Sequence, residues 1–422
     1  MTTTSFHSAV ILGECDSIFV RALSLEWVRR GIHVTVVTRN HKAEPFDSRV
    51  PIVCCHDYRS TALKLFRCVN PLLRWVERSW PKWFLRRYQS ATGKQAPEPW
   101  EHFWVDAFWD SFSCSAAVRA IGPDLVFGQE AAAYGYATAK CDGIPRILFP
   151  WGADIFYSAE TSPFIKHLVK KAVRKCDLVV PTSTRAAKYL VDHLGAIPNR
   201  VKAVSWGVDL KMFGRATAVT RQALLSELSF PDDAVVIMNC RRFLPLWGAF
   251  EALDAFIDVG LKCPKAHFVL LGGAGTEKFV AEARKRLRSA RLLDRFQLID
   301  GNIPLQHCSQ LFSIADISVS LLGRGDMRSS SVLQAAAAGG VPVLAESAEY
   351  RAMEEGGFSA FFVDRSSSEQ LQRMLEDLIE QPDLRIQARQ TNRKYLQSHE
   401  DSITQMDRLI HLISETEVSE RH

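Results

Sequence analysis

The sequence predicts an α/β protein built from two Rossmann-like, doubly wound parallel-sheet domains facing a cleft. Three observations carry that expectation. The chain has 422 residues, more than one hydrophobic core usually organises. Short apolar, β-branched runs alternate with stretches whose apolar residues fall at helical spacing, the pattern of strands covered by helices on both faces. The alternation comes in two series, separated by a polar segment containing Gly207.

The first series opens with SAVIL (8–12), an apolar run followed by the turn GECDS (13–17). The next stretch, IFVRALSLEWVRRG, places Phe19, Leu23, Trp27 and Val28 on one helical face and ends at Gly31. Val34 to Val37 is β-branched and completes a strand, helix, strand unit. Strands are then expected at DLVFGQ (124–129), PRILFP (145–150) and DLVVPTS (177–183), with helices over 163–175 and 184–194. The second series runs through strands at AVVIMNC (234–240), HFVLLGG (267–273), FQLIDG (296–301), DISVSLL (316–322), VPVLAE (341–346) and FFVD (361–364). Helices are expected between them over 248–261, 276–290, 305–314 and near 330–339. The expected division is 1–214 for the first domain and 215–384 for the second, with a helix over 385–416 packing back on the first.

Composition sets the outer limits of function. Hydrophobic residues make up 47% and charged residues 23%, which supports packed cores and excludes a disordered chain. The formal charge of +5 suits anionic small molecules or an anionic membrane surface without requiring either, and nucleic acid is not an expected partner. Ten cysteines, with no CxxC pair at zinc or redox spacing, read as reduced and mostly buried thiols, so no metal is expected. The N-terminal run MTTTSFHSAVILGECDS lacks the charged region of a signal peptide, and no apolar stretch approaches a membrane span. A cytoplasmic protein is expected, or one peripheral on the cytoplasmic face of a membrane.

Doubly wound sheets bind ligands beyond the carboxyl ends of their strands. No GxGxxG with a suitably spaced acid and no GxxxxGK[ST] occurs, which removes the main support for dinucleotide and P-loop chemistry. LLGGAG (270–275) brings Gly272 and Gly273 to a strand-to-helix turn, either a tight turn or a loop that approaches a ligand. The turn at Gly13 opens a helix and presents backbone amides to a donor phosphate or an acceptor, with Glu14 and Asp16 as candidate bases beside it and a plain N-cap as the alternative for such an acid. Within GDMRSSS (325–331), Arg328 supplies a positive charge, while Ser329, Ser330 and Ser331 stand where a helix N-terminus offers hydroxyls and free amides to phosphate. A plain N-cap is the alternative for the serines.

Several segments, taken in order, resemble the family 4 glycosyltransferases of the GT-B fold. They are SWGVDLKMF (205–213), RRFLPLWG (241–248), FVLLGGAG (268–275), the run from LIDGNIP to LQAAAAGGVPVLAE, and PWGADIF (150–156). The resemblance implies a donor-phosphate loop at Arg241 and Arg242, whose planar forks suit phosphate oxygens. Neighbouring residues of a strand point to opposite sides, so one of the two is expected to face the cleft. The lysine that the family carries about five residues on is replaced by Leu246-Trp247. Its paired glutamates are also missing. One alignment puts Ala335 at the second position, and a shift by one leaves Asp326 and Gln334 as a polar remnant. Asp154, in the segment like the family's "PWGSDI", is the expected substrate-contacting acid of the first domain, with a local turn-forming hydrogen bond from its carboxylate as the alternative. Gln129 and Glu130 stand where the family often has histidine.

The resemblance implies transfer of a sugar from a nucleoside diphosphate sugar to a glycan, lipid-linked or small-molecule acceptor, with no cofactor required. Arg241, Arg242, Asp154 and Asp16 are the candidates at the reacting centre. Gly13, Gly272, Gly273, Asp326, Arg328, Ser329, Ser330, Ser331 and Gln334 are the candidates for holding the donor. The stretch 63–89 has basic residues interleaved with Trp75, Trp80 and Trp83, a composition suited to an anionic membrane interface, with a protein-binding helix or a lid as alternatives. A non-catalytic sugar-nucleotide or protein-binding module and a sugar-nucleotide epimerase remain the rival readings of the whole chain.

Overall fold

The computed structural model describes residues 6–40, 45–58, 101–161, 163–273, 276–299, 301, 303–321 and 328–420. Asp326 and the stretch 63–89 lie outside the described residues. The chain divides into two compact units, residues 1–204 with 409–422, and residues 205–408.

The first unit contains β1 (Ser8–Leu12), α1 (Ile18–Arg29), β2 (His33–Thr38), β3 (Ile52–Cys54), α2 (Glu101–Ile121), β4 (Leu125–Gln129), α3 (Tyr134–Thr138), β5 (Arg146–Phe149), α4 (Pro163–Lys175), β6 (Leu178–Val179) and α5 (Thr184–Leu194). Its six-stranded sheet has the order β3-β2-β1-β4-β5-β6, with every pairing parallel. The order reverses between β1 and β4, which is the switch point of a doubly wound sheet. The Ser17 hydroxyl caps α1 by accepting the Phe19 amide, and Trp27 on its inner face meets Phe6 and Phe127 edge-on. α5 begins on the Ser183 cap and ends at Gly195, whose φ of 74° suits the left-handed helix terminus.

The second unit contains α6 (Ala218–Glu227), β7 (Val235–Arg242), α7 (Ala249–Lys262), β8 (Ala266–Leu271), α8 (Glu277–Ala290), β9 (Phe296–Ile299), α9 (Leu305–Ile314), β10 (Ile317–Ser320), α10 (Ser330–Ala337), β11 (Val341–Ala345), α11 (Ala348–Glu355), β12 (Phe361–Val363), α12 (Ser368–Glu380) and α13 (Pro382–His399). α14 (Ser402–Glu420) spans the division between the units. The parallel sheet runs β12-β11-β10-β7-β8-β9, the same winding as the first. Along β7, Val235 and Ile237 enter one apolar layer, while Val236, Met238 and Cys240 enter the other. A strand buried on both faces must be apolar at both parities, which is why AVVIMNC reads as a continuous run.

The division at 204/205 comes before the expected boundary near residue 215, because residues 205–213 are built into the second unit. Val208 pairs with Asp401, its amide donates to the Glu400 carbonyl at 2.7 Å, and Val208 and Phe213 are buried in the core. Gly207 has φ +67°, and a Cβ there would stand 2.7 Å from Ser402 Cα and 2.9 Å from the Glu400 carbonyl oxygen. The expected helix over 385–416 is two helices. α13 stays with the second unit, where Ala388, Tyr395 and Leu396 are buried and Asn392 exchanges two hydrogen bonds with the Ser359 backbone. Residues 409–422 group with the first unit.

One buried carboxylate ties the second unit together. Asp316, ahead of β10, receives Arg215 at 2.7 Å, Arg221 at 2.7 Å and Arg389 at 2.8 Å, together with the Val236 amide at 3.0 Å. Burial pushes the Asp316 carboxyl up, but the three guanidinium groups and the amide hold it below the usual carboxylate range.

Candidate active site

In the second unit the site forms where β7 ends. The β7–β8 register shifts between Asn239 and Arg242, so the strand's last residues leave the regular ladder. Arg241 turns inward and Arg242 stays exposed. The Arg241 guanidinium donates to Ser329 Oγ at 2.6 Å and lies 4.4 Å from the Trp247 ring centroid. Its amide donates to Asn239 Oδ1 at 3.1 Å. Burial pulls the guanidinium below the usual arginine range, and among the described residues no carboxylate forms an ion pair with it. Trp247, which occupies the place of the family's lysine, therefore braces the arginine through its ring face.

Arg242 lies across the glycine turn. Gly273 has φ +144°, and a Cβ there would come within 2.8 Å of Arg242 Cδ. Gly272 continues the sheet by donating to the Ile299 carbonyl at 2.6 Å. The φ of Gly273 favours glycine there, since an L side chain would be strained whatever room the exposed Arg242 side chain left it.

Ser329 stands at the N-cap position of α10 in extended conformation, but its hydroxyl makes no capping hydrogen bond to the helix. Its amide donates to the Tyr350 hydroxyl at 3.1 Å, and its own hydroxyl shares a 2.8 Å contact with Ser331 Oγ. Ser330 and Ser331 are the first residues of α10, whose leading amides have no intrahelical acceptor. Gln334 follows one turn later, half-buried on the same side as Ser330 and Ser331. Arg328 is tied down on the other side. Its Nη2 is 2.7 Å from Glu400 Oε1 and its Nε is 3.8 Å from Glu349 Oε1, both carboxylates being buried. Arg241 and Arg328 thus flank Ser329, one without a carboxylate partner among the described residues and the other with two.

The first unit gathers its candidates at the carboxyl ends of β1, β4 and β5. Gly13 follows β1, where a Cβ would collide with Val20 Cγ2 of α1 at 2.7 Å. Glu14 accepts the Tyr134 hydroxyl at 2.8 Å, and burial raises its carboxyl. Asp16 is exposed and is held low by the Cys15 thiol at 3.0 Å, with Asn40 at 3.4 Å. The cap of α1 is Ser17 and not Asp16. Asp154 is buried, with Oδ2 accepting the amides of Ala131 at 2.6 Å and Trp151 at 3.0 Å, and Oδ1 accepting Ile155 at 3.0 Å. Its oxygens knit the loop after β4 to the loop after β5.

Glu130 has φ +74°, uncommon outside glycine, and its two oxygens accept the Ala132 and Ala133 amides at 2.6 and 2.5 Å. Burial, reinforced by the charge of Asp154, pushes its carboxyl up to about 8. Burial and the nearness of the two acids therefore favour a proton on the Glu130 and Asp154 pair towards neutral pH. Sequence reasoning placed Glu130 in a histidine position but had no means of finding its raised carboxyl, because that depends first on burial and then on Asp154, 24 positions on. The same holds for Tyr350 at the Ser329 cap. Elsewhere in this unit Cys55, His56 and Asp110 bring ligand-type atoms within 4.8 Å of one another, where Arg39 Nε already pairs with Asp110 at 3.1 Å.

Two family models match the chain. Glycosyltransferase Family 4 matches residues 17–212 and Glycosyl transferases group 1 matches residues 220–395. The chain belongs to the family 4 glycosyltransferases of the GT-B fold and is a glycosyltransferase. Among solved structures it is similar to sucrose-phosphate synthase from Thermosynechococcus elongatus, with 13% identity and a TM-score of 0.72 over 98% of this chain and 100% of that one. It is similar to Anabaena HepE in complex with UDP and glucose, with 13% identity and a TM-score of 0.69 over 97% and 99% of the two chains. These likenesses show the fold. A stretch of 86 residues, 20% of the chain, is 36% identical to D-inositol 3-phosphate glycosyltransferase of Geodermatophilus obscurus and spans 18% of that relative's length.

Proposed function

We propose that this glycosyltransferase takes its sugar from a nucleoside diphosphate sugar held on the second unit, and passes it to an acceptor hydroxyl taken by the first. The observation that carries the reading is Arg241, an inward guanidinium with no carboxylate partner among the described residues, fixed to the N-cap serine of α10. A buried cation without a counter-charge is costly, and a diphosphate is a counter-charge that arrives with the substrate. The leading amides of α10 and the hydroxyls of Ser330 and Ser331 add donors on the same side.

In the transfer, the bond from the anomeric carbon to the diphosphate oxygen breaks and a bond to the acceptor oxygen forms. The acceptor's hydroxyl proton leaves to a base or to the departing diphosphate. Negative charge grows on the leaving group, where Arg241 and the α10 N-terminus stabilise it without reorganising. Arg328 acts on this site by holding Ser329 in place through Glu400 and Glu349. Arg242, exposed over Gly273, is the second cation within reach of an anionic ligand at this end of the sheet. The acceptor is a glycan, a lipid-linked sugar or a small molecule, and the site is used on the cytoplasmic side.

The UDP and glucose bound by HepE make UDP-sugars the first donors to test, with GDP- and ADP-sugars beside them. Thermal stabilisation by one of these donors in the wild type, lost in Arg241→Ala, is the expected result. A cooperative melt that no nucleotide sugar shifts would remove the proposed donor site.

A further inference from the structure

On the first unit, α2, the turn after α3 and α4 bring four cations together: Arg119, Lys140, Lys171 and Lys175. Among the described residues none of the four has a carboxylate within ion-pair distance, although nearby Lys166 pairs with Glu160 and Arg146 with Asp177. α4, PFIKHLVKKAVRK, contains five lysines and arginines and no acid. Lys171 and Lys175 are one turn apart and exposed, an arrangement in which like charges repel. Burial pulls the Lys140 ammonium down to about 8, and the charges of Lys171, Lys175 and Arg119 add to the effect.

Aromatic rings stand among these charges. Lys140 Nζ is 3.1 Å from the Phe112 ring centroid and 4.9 Å from that of Tyr136, and Lys171 Nζ is 5.9 Å from the Tyr136 centroid. Phe108 links the group, its ring lying 5.7 Å from Phe112, 5.9 Å from Tyr136 and 5.8 Å from Phe164. Phe112 is 43% and Phe164 40% exposed, two of the largest apolar groups left to solvent among the described residues. Like charges gathered beside exposed rings repel one another in a protein surrounded only by water. The same arrangement is favourable where anionic phosphates border an apolar phase.

We propose that this face docks on an anionic phospholipid bilayer, with the four cations against lipid phosphates and the Phe112 and Phe164 rings in the headgroup boundary. The proposal is independent of the donor chemistry, and neither one's failure bears on the other. No helix among the described residues is long and apolar enough to cross a membrane.

The test is co-sedimentation of the full chain with phosphatidylcholine vesicles, with and without phosphatidylglycerol. The wild type should bind only the anionic vesicles and release in part, not wholly, as sodium chloride is raised. The triple variant Lys140→Gln/Lys171→Gln/Lys175→Gln should bind at least about tenfold more weakly. Phe112→Ser/Phe164→Ser should lose the binding that survives at high salt. Lys175→Glu, at an exposed position, serves if the triple variant does not retain the wild-type melt. Wild-type protein that stays in the supernatant with anionic vesicles at low salt overturns the proposal, as do folded variants that bind like the wild type. Release by inorganic phosphate beyond that by chloride of equal ionic strength also overturns it, in favour of a soluble phosphorylated ligand.

Discussion

Arg241 Nη1 lies 2.6 Å from Ser329 Oγ, a hydrogen bond that joins the end of β7 to the N-cap of α10 across 88 positions of sequence. The arginine is braced by Trp247 and the serine by Tyr350, so both partners are positioned before any ligand arrives. Such preorganisation is what a site needs in order to stabilise charge that appears only during the reaction.

Replacing Arg241 by Ala should lower kcat/KM by about 2–4 kcal/mol of transition-state stabilisation, roughly 30- to 1000-fold. Arg241→Lys should recover part of this, because lysine keeps the charge but not the planar fork. The melting temperature should be unchanged or higher, since a half-buried guanidinium with no carboxylate partner among the described residues is removed. A variant that melts well below the wild type would make Arg241 a structural residue.

Stability of the first unit should fall as pH rises through the titration of Glu130. Its carboxyl titrates near 8 when folded and near 4.5 when exposed, so between those values the folded state binds the extra proton. Unfolding stability then declines with rising pH across this window and levels off above it. Urea denaturation at pH 5, 6.5 and 8 measures the slope. In Glu130→Gln that slope should shrink, whatever the variant's baseline, because the titrating group is gone.

Asp316→Asn should be strongly destabilising, by about 3–5 kcal/mol, because Arg215, Arg221 and Arg389 are left around a neutral group. The carboxyl's folded value is depressed, so its contribution is present above the unfolded value near 3.8 and lost as pH falls through the folded one. The difference between wild type and variant should therefore be full at pH 7 and narrow only in strong acid. Chemical denaturation at both pH values reads it.

Gly207→Ala should cost about 1–3 kcal/mol, combining left-handed backbone strain with a methyl group set against Ser402 Cα and the Glu400 carbonyl. Calorimetry should show the loss in the transition that includes the second unit. An alanine variant with wild-type stability would mean that the 205–213 clip against the start of α14 is not rigid.

The two sheets were legible in the sequence because burial on both faces demands continuous apolar runs such as VVIM and FVLL, and period and length then separate strands from helices. The segments carrying the family resemblance were legible for a related reason. Each sits where backbone geometry restricts the residue, as at Gly207 with φ +67° and Gly273 with φ +144°. The sequence also narrowed the arginine pair to one inward member, from strand alternation alone. It could not say which, because the bulge between Asn239 and Arg242 decides that.

What the sequence determined by itself is local: which stretches are strands and helices, where glycine is obligatory, and that two doubly wound sheets follow one another. Only the tertiary structure decided how charges are paired. Arg328 and Arg241 are alike as residues, yet one is met by Glu349 and Glu400 and the other by no carboxylate among the described residues. Asp154 and Glu130 are both acids in loops, yet burial side by side raises the carboxyls of both. Secondary structure is set by neighbours along the chain, whereas a charge is set by groups within a few ångströms in space, and those are brought together only when the chain has folded.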